Sequence, residues 1–183
     1  MRTKQEIRKQ YLQARRELTP EERAEKSARA AVRIAALPEF RTAGTILLYQ
    51  AMPDEPDLQS LAEGPASAGR RFAYPVCISR TEMAAMLPGS WRKGAFGIRE
   101  PDPETSQIVP PEAIDLVICP GVAFDEKKTR LGMGGGYYDR YLPECVNAKT
   151  VLAAFEVQRA EERLPREPED VPVDWVVTED GVY

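Results

Sequence analysis

The sequence predicts an α/β fold with a mostly parallel sheet. Two patterns support this prediction: nearly continuous apolar runs of strand length, and helical patterns that alternate with them. The clearest runs are TILLYQ (45–50), AIDLVICPG (113–121), TVLAAFE (150–156) and DWVVTE (174–179). The chain has 183 residues, of which 43% are hydrophobic and 30% charged, so it can bury a core of its own. We therefore expect a single domain over residues 1–183.

Two helices are predicted at the N-terminus. Residues 2–17 form a strongly basic helical pattern with a narrow apolar stripe. The second helix has Thr19 as its N-cap, Pro20 at its first position and Glu22 completing a capping box. It ends before Pro38, because proline cannot continue a helix.

Weaker patterns predict three further elements. RFAYPV (71–76) and EMAAML (82–87) are candidate strands, and YYDRYL (137–142) opens a helix. Segments rich in turn-forming residues separate the strands, as expected for loops at the ends of a sheet.

The composition restricts the chemistry. The chain contains no histidine, which excludes Ser-His-Asp and Cys-His catalysis and every histidine metal site. A bound metal must be held by oxygen ligands, or by cysteines whose spacing here does not indicate zinc. Mg²⁺ is therefore the natural candidate.

Charge and hydropathy narrow the class of partner. A net charge of −4 argues against a protein whose main task is binding nucleic acid. No apolar stretch has the length of a membrane span. The N-terminal segment lacks the apolar core of a secretory signal, and the three cysteines are widely spaced. We therefore expect a cytoplasmic protein with reduced cysteines, no nucleic-acid partner and no membrane partner.

The stretch RLGMGGGYYDR (130–140) contains four glycines within five residues. It lacks the final Gly-Lys-Ser/Thr of a Walker A loop. It also lacks the third glycine of the G-x-G-x-x-G dinucleotide fingerprint, and a dozen residues separate Cys119 of the preceding predicted strand from Gly132. Bare backbone N–H groups at such a turn can bind an anion, and a helix starting at Tyr137 and the guanidinium of Arg130 would add to the attraction. A phosphate site and a tight surface loop without a ligand both remain open on this pattern.

Charged residues elsewhere in the chain could complete such a site. Lys4 and Arg8 share a helix face and could clamp phosphates, although their spacing alone favours a solvated basic face. Asp139 follows the glycines, and Asp170 and Asp174 lie near the last predicted strand. These carboxylates could hold Mg²⁺ beside bound phosphates, whereas capping or surface roles explain each of them taken singly.

Two features could bind the rest of a ligand. Glu55 follows a predicted strand, where open α/β sheets bind ligands, although a solvated turn is the alternative. Aromatic side chains could line a flat pocket for a heteroaromatic ligand, although most aromatic residues belong to a core. The candidates are Trp91, Phe96, Tyr137, Tyr138 and Phe155.

The segment DLVICPGVAFDEKKTRLGMGGGYYDRYL (115–142) resembles the signature of the 5-formyltetrahydrofolate cyclo-ligase family, also called methenyltetrahydrofolate synthetases. The family pattern P-G-x-x-F-D, followed by R-L-G-x-G-x-G-Y-Y-D, is matched at every fixed position. The resemblance covers nearly the whole chain. It includes the K-x-x-x-R of Lys4 and Arg8, FGIREP (96–101) and EDVPVDWVVTED (169–180).

This resemblance implies a fold and a reaction. The fold is a three-layer α/β/α sandwich, Rossmann-like, as in sugar-phosphate isomerases and CoA transferases. The enzyme is an ATP-dependent ligase with Mg²⁺ as cofactor. It converts 5-formyltetrahydrofolate to 5,10-methenyltetrahydrofolate by phosphorylating the formyl oxygen, after which N10 attacks and phosphate leaves. Because both reacting groups belong to the substrates, a chain without histidine can run this reaction.

We expect a monomer or a weak homodimer. The resemblance also assigns binding residues. The metal residues are Asp139 and Asp170. The ATP residues are Lys4, Arg8, Arg130, Leu131, Gly132, Met133, Gly134, Gly135, Gly136, Tyr137 and Tyr138. The folate residues are Gln50, Glu55 and Phe96, together with Met133, Gly134, Gly135, Gly136 and Tyr137 of the loop.

Three positions depart from the family pattern. Lys128 stands where glycine is frequent, Leu58 where threonine is common, and Glu169 where a histidine often precedes the aspartate matched by Asp170. These departures concern the turn, the folate site and the metal site, respectively.

Two other hypotheses remain: a non-catalytic nucleotide- or folate-binding protein, and an unrelated phosphosugar enzyme of similar architecture.

Overall fold

The computed structural model describes residues 2–183, and a seven-stranded sheet lies at the centre of this part of the chain. In chain order the strands are β1 (Thr45–Leu48), β2 (Arg71–Cys77), β3 (Met83–Leu87), β4 (Trp91–Lys93), β5 (Arg99–Pro101), β6 (Gln107–Val109), β7 (Leu116–Cys119), β8 (Ala123–Phe124), β9 (Arg130–Leu131), β10 (Lys149–Ala153) and β11 (Trp175–Val177). The order across the sheet is β11-β10-β7-β1-β2-β3-β6. The five strands from β11 to β2 in this order are mutually parallel. β3 is antiparallel to both of its neighbours, β2 and β6, so the prediction of a mostly parallel sheet is confirmed.

The chain contains five α-helices within residues 2–183. They are α1 (Lys4–Glu17), α2 (Pro20–Ala36), α3 (Pro38–Thr42), α4 (Ser60–Glu63) and α5 (Tyr137–Tyr141). None of these helices combines the length and the apolarity that a membrane crossing needs.

The central strands are apolar throughout because both faces of the sheet are covered. Successive side chains of a strand point to opposite faces. Ile46 and Leu48 of β1 therefore pack under α2, α3 and α4, whereas Leu47 packs with Tyr141 and Leu142 on the other side. The result is the three-layer α/β/α arrangement, with a thinner layer on the α5 side.

The N-terminal helix lies apart from these layers, against the small β8–β9 hairpin. Ile7 and Tyr11 of α1 form a separate core with Val122, Ala123 and Leu131. This packing fixes the start of α1 beside the segment that follows β9.

Capping determines where the two long helices begin. Thr19 and Glu22 form the predicted capping box of α2. Thr3 and Glu6 form a second capping box, so α1 begins at Lys4, two residues after the predicted start.

The strand predictions were right in place. Most were too long, although β2 (Arg71–Cys77) exceeds the predicted run 71–76 by one residue, and several strands were missed. The run 45–50 is a strand only to Leu48, and the run 113–121 only from Leu116 to Cys119. The missed strands β4, β5, β6, β8 and β9 have two or three residues each, which is too short for a periodic pattern.

Candidate functional site

A cleft of about 990 Å³ opens beside the carboxyl ends of β1 and β7. The chain leaves β1 toward β2 on one side and later returns to β7 on the other, so this is a point where the strand order reverses. Open α/β sheets bind ligands at such points. Every ATP, folate and metal residue that the sequence resemblance assigns lines this cleft.

The glycine loop, residues 132–136, connects β9 to α5 along the wall of the cleft. Gly134 has φ +104° and Gly136 has φ +66°, which are backbone conformations that side chains other than glycine rarely adopt. Two guanidinium groups hold the loop: Nε of Arg8 donates to the Gly132 carbonyl at 2.8 Å, and Arg140 donates to the Gly135 carbonyl at 2.6 Å. These hydrogen bonds fix the conformation of the loop in the cleft wall.

The predicted helix after the loop starts at Tyr137, but α5 has only five residues. The charge at a helix terminus comes from the summed peptide dipoles of several turns. The dipole of so short a helix is weak, so the positive charge of this region comes mainly from side chains.

Arg130 is the most buried cation of the cleft, with 5% of its surface exposed. One terminal nitrogen donates to Oδ1 of Asp139 at 2.7 Å. Its Nε and the hydroxyl of Tyr138 are buried without a hydrogen-bond partner. An unpaired buried polar group costs roughly 1–3 kcal/mol, so these two atoms indicate a ligand that brings partners for them.

Lys4 reaches into the cleft instead of forming a solvated basic face. Its ammonium lies 2.6 Å from Oδ2 of Asp170 and 3.0 Å from Oε2 of Glu167. Burial lowers the pKa of Lys4, but the bonds to these two carboxylates outweigh it, so the net pKa is raised. Burial raises the pKa of Asp170, but the Glu167 N–H and Lys4 outweigh it, so its net pKa is lowered. Both groups are therefore charged at neutral pH.

The two candidate metal residues lie in the same part of the cleft. The backbone N–H of Val171 donates to Oδ1 of Asp139 at 3.2 Å, which places Asp170 beside it. Across the residues that the structure describes, Oδ2 of Asp139 and Oδ1 of Asp170 accept no hydrogen bond. No group of three or more Cys, Asp or Glu residues within 2–183 could form a metal cage. One or two carboxylates that leave room for phosphate and water fit Mg²⁺.

Glu55 supplies a buried carboxylate to the cleft. It is 7% exposed, and its Oε2 accepts a hydrogen bond from the Met52 N–H at 2.9 Å. Burial raises the pKa of Glu55, against the lowering effects of the Met52 N–H and of Arg15. The alternative of a solvated turn is therefore wrong.

Gln50 belongs to a chain of polar side chains beside Glu55. Nε2 of Gln50 donates to Gln59 at 2.9 Å, and Gln59 in turn donates to the hydroxyl of Tyr74 at 3.0 Å. This chain fixes the orientation of the Gln50 amide at the cleft.

The aromatic candidates divide into two sets. Phe96, Tyr137 and Tyr138 line the cleft. Phe96 is 69% exposed and has φ +60°, an uncommon conformation for a non-glycine residue. Phe155 is fully buried in the protein core, and Trp91 packs against Tyr74 with ring centroids 4.9 Å apart, so neither lines the cleft.

Asp174 does not join the candidate metal site. Its Oδ2 accepts hydrogen bonds from the backbone N–H and the hydroxyl of Thr150, at 2.8 and 2.9 Å. Asp174 therefore connects the starts of β10 and β11, which explains its place in the sequence without a metal.

The three departures from the family pattern have different locations. Lys128 has φ +59°, a conformation that glycine adopts more easily, and its ammonium lies 4.7 Å from the ring of Trp175, outside the cleft. Leu58 is buried in the main core. Of the three, Glu169 lines the cleft.

Arg15 was not among the candidate residues predicted from the sequence, although it is a cation with only 1% of its surface exposed. The buried positions of α1 are Ile7, Tyr11 and Arg15, which are spaced by four residues. A charged residue that continues an apolar stripe was the signal that could have identified it.

The comparisons with known proteins agree over the length of the chain. A family model described as the 5-formyltetrahydrofolate cyclo-ligase family matches residues 1–179. The 5-formyltetrahydrofolate cyclo-ligase of Escherichia coli (strain K12) is 35% identical over 179 residues, covering 93% of this chain and 97% of the relative.

Two solved structures have the same fold. The 5,10-methenyltetrahydrofolate synthetase of Aquifex aeolicus superimposes with a TM-score of 0.85 at 37% identity, covering 98% of this chain and 91% of that one. The 5,10-methenyltetrahydrofolate synthetase of Mycoplasma pneumoniae gives a TM-score of 0.80 at 28% identity, covering 97% and 99%. The similarity is therefore not limited to the glycine loop.

Proposed function

The chain belongs to the 5-formyltetrahydrofolate cyclo-ligase family, and we propose that its cleft binds ATP and 5-formyltetrahydrofolate together and closes the 5,10-methenyl ring. ATP is converted to ADP and phosphate. The observation that carries this proposal is the convergence, in one cleft, of a cation-bound glycine loop, two partly free aspartates and a buried glutamate.

The glycine loop and its cations bind the triphosphate. Backbone N–H groups of residues 132–136 are accessible to phosphate oxygens because glycine side chains do not cover them. Lys4, Arg8 and Arg130 supply the positive charge. The buried Nε of Arg130, which has no partner in the protein, gains an acceptor when a phosphate oxygen binds.

Asp139 and Asp170 would hold Mg²⁺ through the carboxylate oxygens that accept no protein hydrogen bond. The ion, when bound, would neutralise negative charge on the phosphates. The ion pairs to Arg130 and Lys4 orient the two carboxylates before the ion arrives.

Glu55, Gln50 and the aromatic side chains bind the folate. The 2-amino-4-oxopyrimidine ring of a folate presents an N–H and an amino group side by side, and a carboxylate can accept both hydrogen bonds. Phe96 and Tyr137 offer ring faces to the flat pterin.

The reaction proceeds in two steps. The formyl oxygen attacks the γ-phosphorus, the bond to the bridging oxygen breaks, and ADP leaves. N10 then attacks the formyl carbon, the carbon–oxygen bond breaks with its electrons passing to phosphate, and the N10 proton is lost. The protein aligns the reactants and balances charge, so no protein nucleophile is needed.

The cysteines are consistent with a reaction without a protein nucleophile. Cys77 lines the cleft, but burial raises the pKa of its thiol. Burial raises the pKa of Cys119, in β7, to about 11. Both remain thiols at neutral pH, and the thiol is a poor nucleophile compared with the thiolate.

A direct assay tests the proposal. The purified protein, mixed with 5-formyltetrahydrofolate and Mg-ATP, should produce the absorbance of the methenyl product in proportion to the enzyme added. Omitting ATP, or chelating the metal with EDTA, should abolish the signal. Binding of the folate without any product would support the non-catalytic alternative, which the family comparisons do not favour.

Three further expectations stay predictions: one domain over residues 1–183, a monomer or weak homodimer, and a cytoplasmic location. Light scattering of the purified protein at several concentrations would measure its oligomeric state.

A further inference from the structure

Arg15 is a buried cation that does not line the cleft. A charge with 1% exposure is costly unless it is paired. Nε and one terminal nitrogen of Arg15 donate to Oδ2 of Asp54 at 3.2 and 3.0 Å, and the other terminal nitrogen donates to the Gly121 carbonyl at 3.2 Å. That second nitrogen lies 3.8 Å from Oε1 of Glu55. One guanidinium group therefore contacts the loop after β1 and the turn after β7.

Both of these segments form the wall of the cleft. Glu55 and Gly121 line it, whereas Arg15 lies behind them. Glu55 has one carboxylate oxygen bound to the Met52 N–H and the other facing the guanidinium. The position of this carboxylate is thus determined by one backbone contact and one buried cation.

We propose that Arg15 is a positioning residue that holds the Glu55 carboxylate ionised and oriented for the pyrimidine ring of the folate. This inference rests on the proposed function, because it assigns Glu55 to the folate. Arg15 itself does not line the cleft, so its effect on folate binding passes through Glu55.

The charged and titratable groups around Glu55 determine whether loss of Arg15 raises or lowers the pKa of this carboxyl. They are Arg15 from α1, Asp54 from the same loop, Tyr49 after β1 and Tyr138 from α5. Burial and the negative charge of Asp54 raise the pKa of Glu55, whereas Arg15 lowers it. Both tyrosines have pKa values well above the usual range and are neutral near pH 7, so Arg15 is the cation that opposes protonation.

The experiment measures kcat/KM for 5-formyltetrahydrofolate against pH. In Arg15→Gln, the pKa of Glu55 should rise, so the acid limb of the profile should move to higher pH. The KM for the folate at neutral pH should increase on the order of tenfold, because the cation that faces the Glu55 carboxylate is lost, whereas the KM for ATP stays nearly constant. Arg15→Lys keeps the charge and should leave the acid limb close to that of the wild type.

Arg16 provides a matched control. It is the neighbouring arginine on α1, its side chain is 63% exposed, and it approaches Asp54 only to 3.6 Å. Arg16→Gln should therefore have the wild-type profile. Asp54→Asn should move the acid limb in the opposite direction, to lower pH, because it removes the negative charge beside Glu55.

Two further measurements distinguish a failure of the Arg15 inference from a failure of the proposed function. In a Glu55→Gln background, Arg15→Gln should cause no shift of the limb; a shift that persists there, or an unshifted limb in Arg15→Gln itself, overturns the inference. Calorimetric titration of 5-formyltetrahydrofolate at several pH values repeats the comparison without turnover. An absence of methenyl product from the wild type would instead contradict the proposed function. If Arg15→Gln does not fold, Arg15→Met, which keeps most of the apolar stem without the charge, takes its place, and an unshifted limb in that variant overturns the inference.

Discussion

Two ion pairs in the cleft, Lys4–Asp170 and Arg130–Asp139, place each carboxylate 2.6–2.7 Å from a cation. Each pair leaves one carboxylate oxygen without a protein hydrogen bond in the described part of the chain. A single aspartate can therefore orient a cation and offer an oxygen to a metal at once. If the two aspartates hold Mg²⁺ as proposed, each would serve two contacts, and each should be sensitive to substitution.

Asp139→Asn should reduce kcat on the order of 100-fold or more, because the amide removes an anionic oxygen at the point where phosphate charge is balanced. The amide keeps the shape of the carboxylate and can still accept from the Val171 N–H, so the fold should survive. Steady-state kinetics and a circular-dichroism melting curve measure the two effects.

Asp174→Asn is the matched control for this variant. It removes an aspartate that binds Thr150, away from the cleft, so it should lower Tm and leave kcat unchanged. Full activity in Asp139→Asn, or a large loss of kcat in Asp174→Asn, would reverse the assignment of the two residues.

Two separate features of the secondary structure position Arg8 and the glycine loop: the packing of α1 and the backbone conformation of the loop. Helix α1 packs on the β8–β9 hairpin through Ile7, Tyr11 and Leu131, and this apolar contact sets the distance from Arg8 to the glycine loop. The loop in turn takes its shape from positive φ angles at Gly134 and Gly136. In the proposed function, phosphate binding would thus depend on the docking of a helix and on the backbone freedom of a loop.

Gly134→Ala should raise the KM for ATP by roughly 5–30-fold, since a left-handed conformation costs a residue with a Cβ about 1–2 kcal/mol. Space is not the obstacle, because the added Cβ would lie 3.5 Å from Cζ of Arg8, an ordinary contact. The strain is relieved by moving the loop, which displaces its N–H groups from the phosphates. Initial-rate kinetics over a range of ATP concentrations measure the change.

Gly69→Ala imposes similar backbone strain outside the cleft. Gly69 has φ +74° and no atom within 4 Å of an added Cβ. It should lose comparable stability in urea unfolding while its KM for ATP stays constant. An equal KM in Gly134→Ala and the wild type would show that the loop conformation does not limit ATP binding.

At the scale of the whole molecule, the cleft joins segments that are far apart in the chain. Its wall combines the start of α1, the loops after β1 and β7, the glycine loop and residues near Asp170. A ligand that contacts all of them should stabilise the folded state globally, because it binds the folded chain and not the unfolded one.

Mg-ATP at about 100 times its Kd should raise the free energy of unfolding by about 2.7 kcal/mol. For a domain of this size, that corresponds to a Tm increase of roughly 5–10 °C. Arg8→Ala should lose most of this increase, whereas Lys9→Ala, which removes the adjacent exposed cation of α1, should keep it. Differential scanning fluorimetry gives the comparison, and identical Tm shifts in the two variants would contradict the role of Arg8.

Local patterns predicted a good part of the fold. The apolar runs located the central parallel strands, and Thr19, Pro20 and Glu22 located the start of α2. Their boundaries were less accurate, because residues such as Tyr49 stay buried after the strand has ended. The short β4–β5 and β8–β9 hairpins were missed because two or three residues have no measurable period.

The amino-acid sequence by itself determined the parallel sheet, the glycine loop, the exclusion of histidine chemistry and the family. These properties depend on residue types at short spacings, which local physics and motif similarity can interpret. Only the tertiary structure decided that Asp170 faces the cleft while Asp174 pairs with Thr150, and that Arg15 lies behind Glu55. Those outcomes depend on contacts between residues 24 to 166 positions apart, and the chain order does not specify which charges will meet once the layers have packed.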